Sequence, residues 1–359
     1  MKKIISLVVL AGILFFIYTL VSKDSSKVLT TIAPPDEGKQ AEAVTPAPKS
    51  KQGKITIINT DSQTQLPIAN SSYLIMDIES GKAIETVMTD AQGKATSGKL
   101  DYGTYSIKQE SVNAPFQLTE NEEQVKITSP SQEIALTNPM LDYVKEITST
   151  GNGQFEIKKV YLNVDTIMQN PELPNGCEIT SLTAVLQYYG YDATKTEMAD
   201  NYLPKQAFYS KNNKLYGPDP YEAYAGDPRE LKGGFFSFAP PIVKAAELYF
   251  DAVGHSNPTK DISGSTKEQI IEQLNHGIPV VTWITLDLSK PKMNYSWYLS
   301  DSSEYFPAPI NLHVVVLNGY ENGKVHVMNP LVGQVTYDMD KFFNSYVEMG
   351  SHAMIVGNN

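Results

Sequence analysis

Residues 169–190 read QNPELPNGCEITSLTAVLQYYG, and the only cysteine of a 359-residue chain stands among them. Pro174-Asn175-Gly176 is a turn, and from Glu178 onward Ile179, Leu182, Val185, Leu186 and Tyr189 fall at helical spacing until Gly190 stops the run. Asn175 with Glu178 three residues later reads as a capping-box-like start. That puts Cys177 in the first turn of a buried helix, where unpaired N–H groups and the positive end of the dipole favour the nucleophilic thiolate. A lone cysteine makes no intrachain disulfide and no multi-cysteine zinc or iron–sulfur site, and neither a metal nor another cofactor is expected. It could equally be a small buried hydrophobe, so the other residues decide.

A thiolate nucleophile needs a base held in one orientation by a third group. Of the five histidines, His255 and His276 sit in the loop-like GHSNP and NHGIP, and His352, in a closing SHAMIV strand, is a second choice of base that nothing else in the sequence supports. His313 opens the strand LHVVVLNGY, which turns through Gly319–Gly323 into KVHVMNP and ends at Asn329. Antiparallel pairing would bring His313 and Asn329 side by side, letting Asn329 accept from the imidazole and fix its tautomer. Alternation puts His326 on the opposite face, as a structural residue.

From Phe155 to Asn359 helix and strand signals mix, as in an α+β unit, with 15 Lys+Arg against 23 Asp+Glu. The Tyr-, Phe-, Gly- and Pro-rich segment between Pro204 and Pro241 reads as a lid or binding loop. Tyr216 and Tyr221 are expected to line a groove beside Cys177, with Trp297 on the opposite wall. The alternative is that these aromatics fold back as satellite core.

Cysteine first, histidine 136 residues later and asparagine 152 residues later is similar to the order and spacing of papain-like enzymes. More specifically, residues 161–356 resemble secreted cysteine peptidases of family thirty-nine, the bacteriocin-processing-peptidase-like group. The resemblance rests on Q.PELP.GCE, YGPDPYEAYAGDP, FAPPIVKAA, HGIPVVTW, HVVVLNGY…VHVMNP and MGSHAMIV. It implies a papain-like fold with Cys177 as nucleophile, His313 as general base and acid, and Asn329 as orienting residue where many relatives carry aspartate. It also implies that Gln169, eight residues before Cys177, supplies an oxyanion donor beside the Cys177 backbone N–H. Bacteriocin-maturing members are fused to transporter domains, whereas here no P-loop is seen, so an extracellular target is expected.

Export is indicated at the other end. Met1-Lys2-Lys3 precedes the uncharged run Ile4–Val21, long enough to read residues 1–22 as an anchor helix that barely spans a bilayer, or as a signal peptide. With the lysines held inside, the rest faces outward as a single-pass membrane protein, or is secreted if the segment is cleaved. Residues 23–53, rich in Ser, Thr, Lys, Pro and Ala, form a tether reaching on the order of 100 Å.

Residues 54–140 carry short β runs at roughly ten-residue spacing, Ile55–Ile58, Tyr73–Met76, Ile84–Val87, Thr104–Ile107 and Val125–Ile127, the pattern of a small antiparallel sandwich. Through TDAQGKAT…LDYGTYSIKQESVNAP this unit resembles the Cna B-type, prealbumin-like domains of Gram-positive surface proteins. That family commonly joins a lysine to an asparagine through an isopeptide bond, with a glutamate as proton shuttle. Here those places hold Asn59 and Gln109, neutral amides, and no crosslink is expected. Residues 141–154 read as a linker.

The whole is an α+β protein: an anchor helix, a small all-β sandwich and a papain-like unit at 155–359. Three functions fit: a membrane-tethered extracellular thiol peptidase acting on a peptide or protein, a catalytically silent adhesin or wall-binding scaffold, and an acyl-transferase using the same triad. The β-sandwich is a candidate for cell-wall contact. A net charge of −11 and a single arginine, Arg229, offer no basic stripe for nucleic acid.

Overall fold

The computed structural model describes residues 50–357. The anchor expected at 1–22 and nearly all of the tether lie outside them. Among the described residues no helix is long and apolar enough to cross a membrane.

The first domain is two facing four-stranded sheets. One joins β1 (Gln52–Asp61) to β4 (Lys94–Thr96), β5 (Leu100–Asp101) and β8 (Ser131–Asn138); the other runs β3 (Ala83–Met88), β2 (Ser72–Asp77), β6 (Gly103–Ser111), β7 (Glu122–Ile127). All five expected β runs fall inside these strands. Ile55, Ile57, Tyr73, Ile75, Tyr105, Ile107, Val125 and Ile127 fill the space between the sheets. One pairing departs from the antiparallel expectation: β1 and β8 run parallel, Lys54 opposite Ser131 through Asp61 opposite Asn138. The chain leaves β7 and crosses between sheets before β8 lies down beside β1, and that crossing reverses its sense.

Where the crosslink would stand there is an amide lattice. Gln109 Nε2 donates to Tyr73 Oη (3.1 Å) and Asn138 Oδ1 (3.0 Å), and Asn138 Nδ2 donates back to Gln109 Oε1 (2.7 Å). Asn59 donates to Ser71 Oγ at 2.9 Å. Glu110 points to the other face and meets Thr86 at the surface.

The segment 141–154 is not a linker. Val144–Gly151 is strand β9, paired with β10 (Gln154–Tyr161), and both belong to the sheet of the second domain. Only Val144 of β9 is fully buried, so this edge strand lacks the apolar alternation that would mark it in sequence. Its turn meets the first domain: Ala69 N–H donates to Gly153 O (3.1 Å), and Phe116 stands edge-on to Phe155 at 5.0 Å.

The second domain is mixed α+β. An eight-stranded sheet has the order β11 (Thr259–Asp261), β16 (Ala353–Val356), β12 (Val280–Thr285), β13 (Leu312–Glu321), β10, β9; β14 (Lys324–Asn329) pairs with β13, and β15 (Gly333–Asp338) with β14. Four helices pack with it: α1 (Cys177–Tyr188), α2 (Ala239–Val253), α3 (Lys267–Asn275) and α4 (Met339–Glu348). Helix α1 is buried from Cys177 through Leu186, as a helix sandwiched between a sheet and α2 must be. A separate four-stranded sheet gathers Tyr209–Lys211, Lys214–Gly217, Tyr295–Leu299 and Tyr305–Ala308.

Candidate active site

Cys177 is the first residue of α1, and the turn before it is tightly held. Gly176 is the N-cap, and a Cβ there would sit 2.7 Å from Leu173 Cβ. Asn175 is tied across to a second loop, its N–H to Pro228 O (3.1 Å), its Nδ2 to Glu230 O (2.8 Å), and its carbonyl to the Tyr224 hydroxyl (2.6 Å). No side chain caps the helix. The expected capping box is therefore absent: Asn175 is engaged elsewhere, and Glu178 turns into the core rather than back over the helix end.

The thiol lies against β13. Ser181 Oγ, one turn along the helix, donates to Val314 O at 3.3 Å, and the Val314 backbone N–H favours the charged sulfur. Burial outweighs that help. It pushes the Cys177 thiol well up, and the neighbouring Glu178 carboxylate pushes it further. Cys177 Sγ donates to Glu178 Oε2 at 3.3 Å. Desolvation thus works against the thiolate expected from helix position alone.

His313 is the second residue of β13 and 2 % exposed. Its Nε2 lies 2.9 Å from Asn329 Oδ1. The Asn329 amide has one orientation, because Oδ1 also accepts the Leu331 N–H (2.9 Å) while Nδ2 donates to Tyr337 Oη (3.2 Å). An acceptor facing Nε2 requires the proton on that nitrogen, which leaves the Nδ1 lone pair as the basic position. Burial pulls His313 down to about 4, and the bond to Asn329 recovers part of that loss. The observed pairs begin at Val316 opposite Met328, so Asn329 lies diagonally across from His313, within side-chain reach.

Cys177, His313 and Gln169 line one cleft of about 180 Å³, walled by Phe235, Phe236, Leu286, Ile310, Leu312 and Leu331. Gln169 is buried; its Nε2 donates to Pro174 O (2.7 Å) and its backbone N–H to Pro330 O (2.8 Å). Lys195 clamps this loop, donating to Gln169 O (3.0 Å) and pairing with Glu172 (2.7 Å).

The expected substrate aromatics lie elsewhere. Trp297 is 1 % exposed, its indole N–H bound to Pro218 O (2.9 Å), beneath Phe208, Phe235 and Phe306. Pleat alternation turns Trp297 and Leu299 inward together. Tyr216 stacks on Tyr209 in the separate sheet, and Tyr221 covers Phe238 and reaches His352 Nε2 at 3.4 Å. None of the three lines the cleft; Phe235 and Phe236 from the same aromatic segment do.

The other histidines have structural partners. His326 bonds Glu321 (3.0 Å), His352 stacks on Phe238 at 4.2 Å, His255 meets Tyr191 edge-on, and His276 caps α3. Among the described residues no group of three His, Cys, Asp or Glu side chains is placed to hold a metal.

Residues 161–354 match the family described as Peptidase_C39 like, and residues 53–140 match a prealbumin-like fold domain. The chain is 27 % identical over 229 residues to the uncharacterized protein YvpB of Bacillus subtilis (strain 168), covering 61 % of this chain and 87 % of YvpB. A crystal structure of a presumptive C39-like peptidase from Bacillus anthracis superposes with a TM-score of 0.50 at 27 % identity, over 56 % of this chain and 98 % of the other. The minor pilin GBS52 of Streptococcus agalactiae matches at 17 % identity and a TM-score of 0.24, over 28 % of this chain and 49 % of the pilin. The family match spans more than half of the chain and includes every residue of the cleft, so this protein belongs to the Peptidase_C39-like family and carries a prealbumin-like domain ahead of the peptidase-like one.

Proposed function

We propose that the second domain is a thiol peptidase, held outside the cell by its N-terminal segment, that cleaves peptide or amide bonds through Cys177, His313 and Asn329. The observation that carries this reading is the fixed amide of Asn329, which leaves His313 Nδ1 unprotonated in the cleft that Cys177 lines.

The chemistry follows from those positions. The Cys177 proton passes to His313 Nδ1, and the electron pair left on sulfur attacks the scissile carbonyl. Negative charge then develops on the carbonyl oxygen. The backbone N–H of Cys177 and the second hydrogen of Gln169 Nε2, whose first is engaged by Pro174 O, are the donors within reach of the cleft. The C–N bond breaks as Nδ1–H protonates the leaving amine, leaving a thioester on Cys177. Water, deprotonated by the same imidazole, hydrolyses the thioester and regenerates the thiol. The uncharged run Ile4–Val21 behind Lys2-Lys3 supports export and tethering.

The test is to incubate the full chain with a peptide library and quench in acid. New peptide termini together with an acyl adduct on Cys177 are expected by mass spectrometry. An unchanged library with no adduct after prolonged incubation refutes peptidase action, and ligation to an added amine instead of hydrolysis would make the enzyme an acyl-transferase.

The role of Asn329 has its own signature. In Asn329→Asp a carboxylate faces Nε2–H, which favours imidazolium, so the His313 pKa should rise by about one to three units. The imidazole Cε1–H resonance followed against pH reads this directly, and an unmoved midpoint would show that Asn329 does not hold the ring.

A further inference from the structure

Glu178, expected to cap the helix start, is a buried charged group that the mechanism above does not use. It is 0 % exposed, on the first turn of α1, immediately after the nucleophile. Its Oε1 accepts the Ser237 N–H at 3.1 Å and its Oε2 accepts the Cys177 thiol at 3.3 Å. Ser237 is itself fixed, its carbonyl taking the Trp283 indole N–H at 2.8 Å. No ion pair compensates Glu178 among the described residues; the titratable groups that face it are Cys177 on its own helix and Tyr224, whose hydroxyl donates to Asn175 O at 2.6 Å. A buried carboxylate with no cation is costly, and this one spends one of its two contacts on the reacting sulfur.

We propose that Glu178 is a third ionisable member of the thiol site, a proton gate that holds Cys177 as a thiol when ionised and supports the thiolate when protonated. The proposal rests on Cys177 being the nucleophile.

Two protonation states follow. If His313 takes the thiol proton while Glu178 is ionised, a thiolate and a carboxylate face each other at 3.3 Å in a water-poor site, the like-charge arrangement that opposes ionisation. If Glu178 is protonated, the S–H bond breaks, its proton goes to Nδ1, the electron pair stays on sulfur, and the carboxyl O–H turns to donate to the thiolate. The imidazolium and thiolate charges then cancel. Burial raises Glu178 to about 7, so the carboxyl is protonated below that pH and the active ion pair is favoured there. Above it the ionised carboxylate opposes loss of the thiol proton, so the thiolate increases further only at higher pH.

Alkylation of the full chain by iodoacetamide between pH 5 and 10 tests the gate without a substrate, because Cys177 is the only thiol present. Thiol and carboxyl titrate as a coupled pair, so the wild-type rate should rise in two steps. Glu178→Gln keeps the shape and, through its one amide oxygen, the bond from the Ser237 N–H, while its Nε2–H2 faces the sulfur as a neutral donor in place of the carboxylate. It should give one step, with a midpoint at least about one pH unit below the wild-type upper step and alkylation about tenfold faster at pH 8.5. Superimposable profiles overturn the proposal. Should the variant misfold by circular dichroism, the infrared carboxyl band of the unaltered chain decides: a buried C=O stretch that titrates near neutral pH and shifts in Cys177→Ser supports the gate, and its absence overturns it. Peptide cleavage with superimposed alkylation profiles would refute the gate alone; two-step alkylation without cleavage would refute the peptidase reading alone.

Discussion

Cys177→Ala is expected to abolish turnover while leaving the fold in place. On the proposed mechanism, removing the nucleophile takes away the thioester route entirely, a loss on the order of 10⁵-fold in kcat, equivalent to about 7 kcal/mol of transition-state stabilisation. The structural cost is small by comparison, because the side chain lost is one sulfur at a helix end that also faces the cleft. Truncating it should cost only about 1 kcal/mol. The two effects are therefore separable: single-turnover cleavage and adduct mass report the first, urea denaturation the second. A variant that keeps more than about one hundredth of wild-type turnover is incompatible with nucleophilic catalysis by Cys177.

Trp283→Ala should have the largest effect on stability. Trp283 is fully buried on β12, pairs with Val314 across to β13, and donates to Ser237 O at 2.8 Å. Its removal leaves a large cavity and an unpaired carbonyl, costing about 3–5 kcal/mol and lowering Tm by roughly 10 °C for a domain of this size. Trp283→Phe keeps most of the volume and should lose less. Both tryptophans of the chain, Trp283 and Trp297, lie in the second domain, so fluorescence follows that domain without interference from the first. A loss below about 1 kcal/mol would mean that the site under Ser237 collapses around the gap.

The parts of the site that were legible are those where local periodicity and position agree. The 3.6-residue spacing of Ile179, Leu182, Val185 and Leu186 places Cys177 at a helix start, and the ENG turn between two apolar strands places His313 near Asn329. Glu178 was misread because Asn-x-x-Glu also describes a polar residue followed by a buried carboxylate; only the tertiary neighbours Ser237 and Cys177 distinguish the two. The aromatic wall was misassigned for a similar reason. Alternation in YSWYL says that Trp297 and Tyr298 face opposite ways, but not which face the core covers. Strand β9 escaped notice because an edge strand with three hydroxyl residues and few apolar ones resembles a loop.

The parallel pairing of β1 with β8 sets how the first domain responds to mechanical tension. Its entry is the start of β1 and its exit the end of β8, so a pull between the N-terminal side and the second domain stretches two neighbouring parallel strands from opposite ends. The hydrogen bonds between them are evenly spaced along the strands. Such a force loads them in shear, all together, instead of peeling them one at a time. The pair extends from Lys54–Ser131 to Asp61–Asn138, next to the Gln109–Asn138 amide lattice. A domain with neutral amides at Asn59, Gln109 and Asn138 thus resists extension through strand geometry.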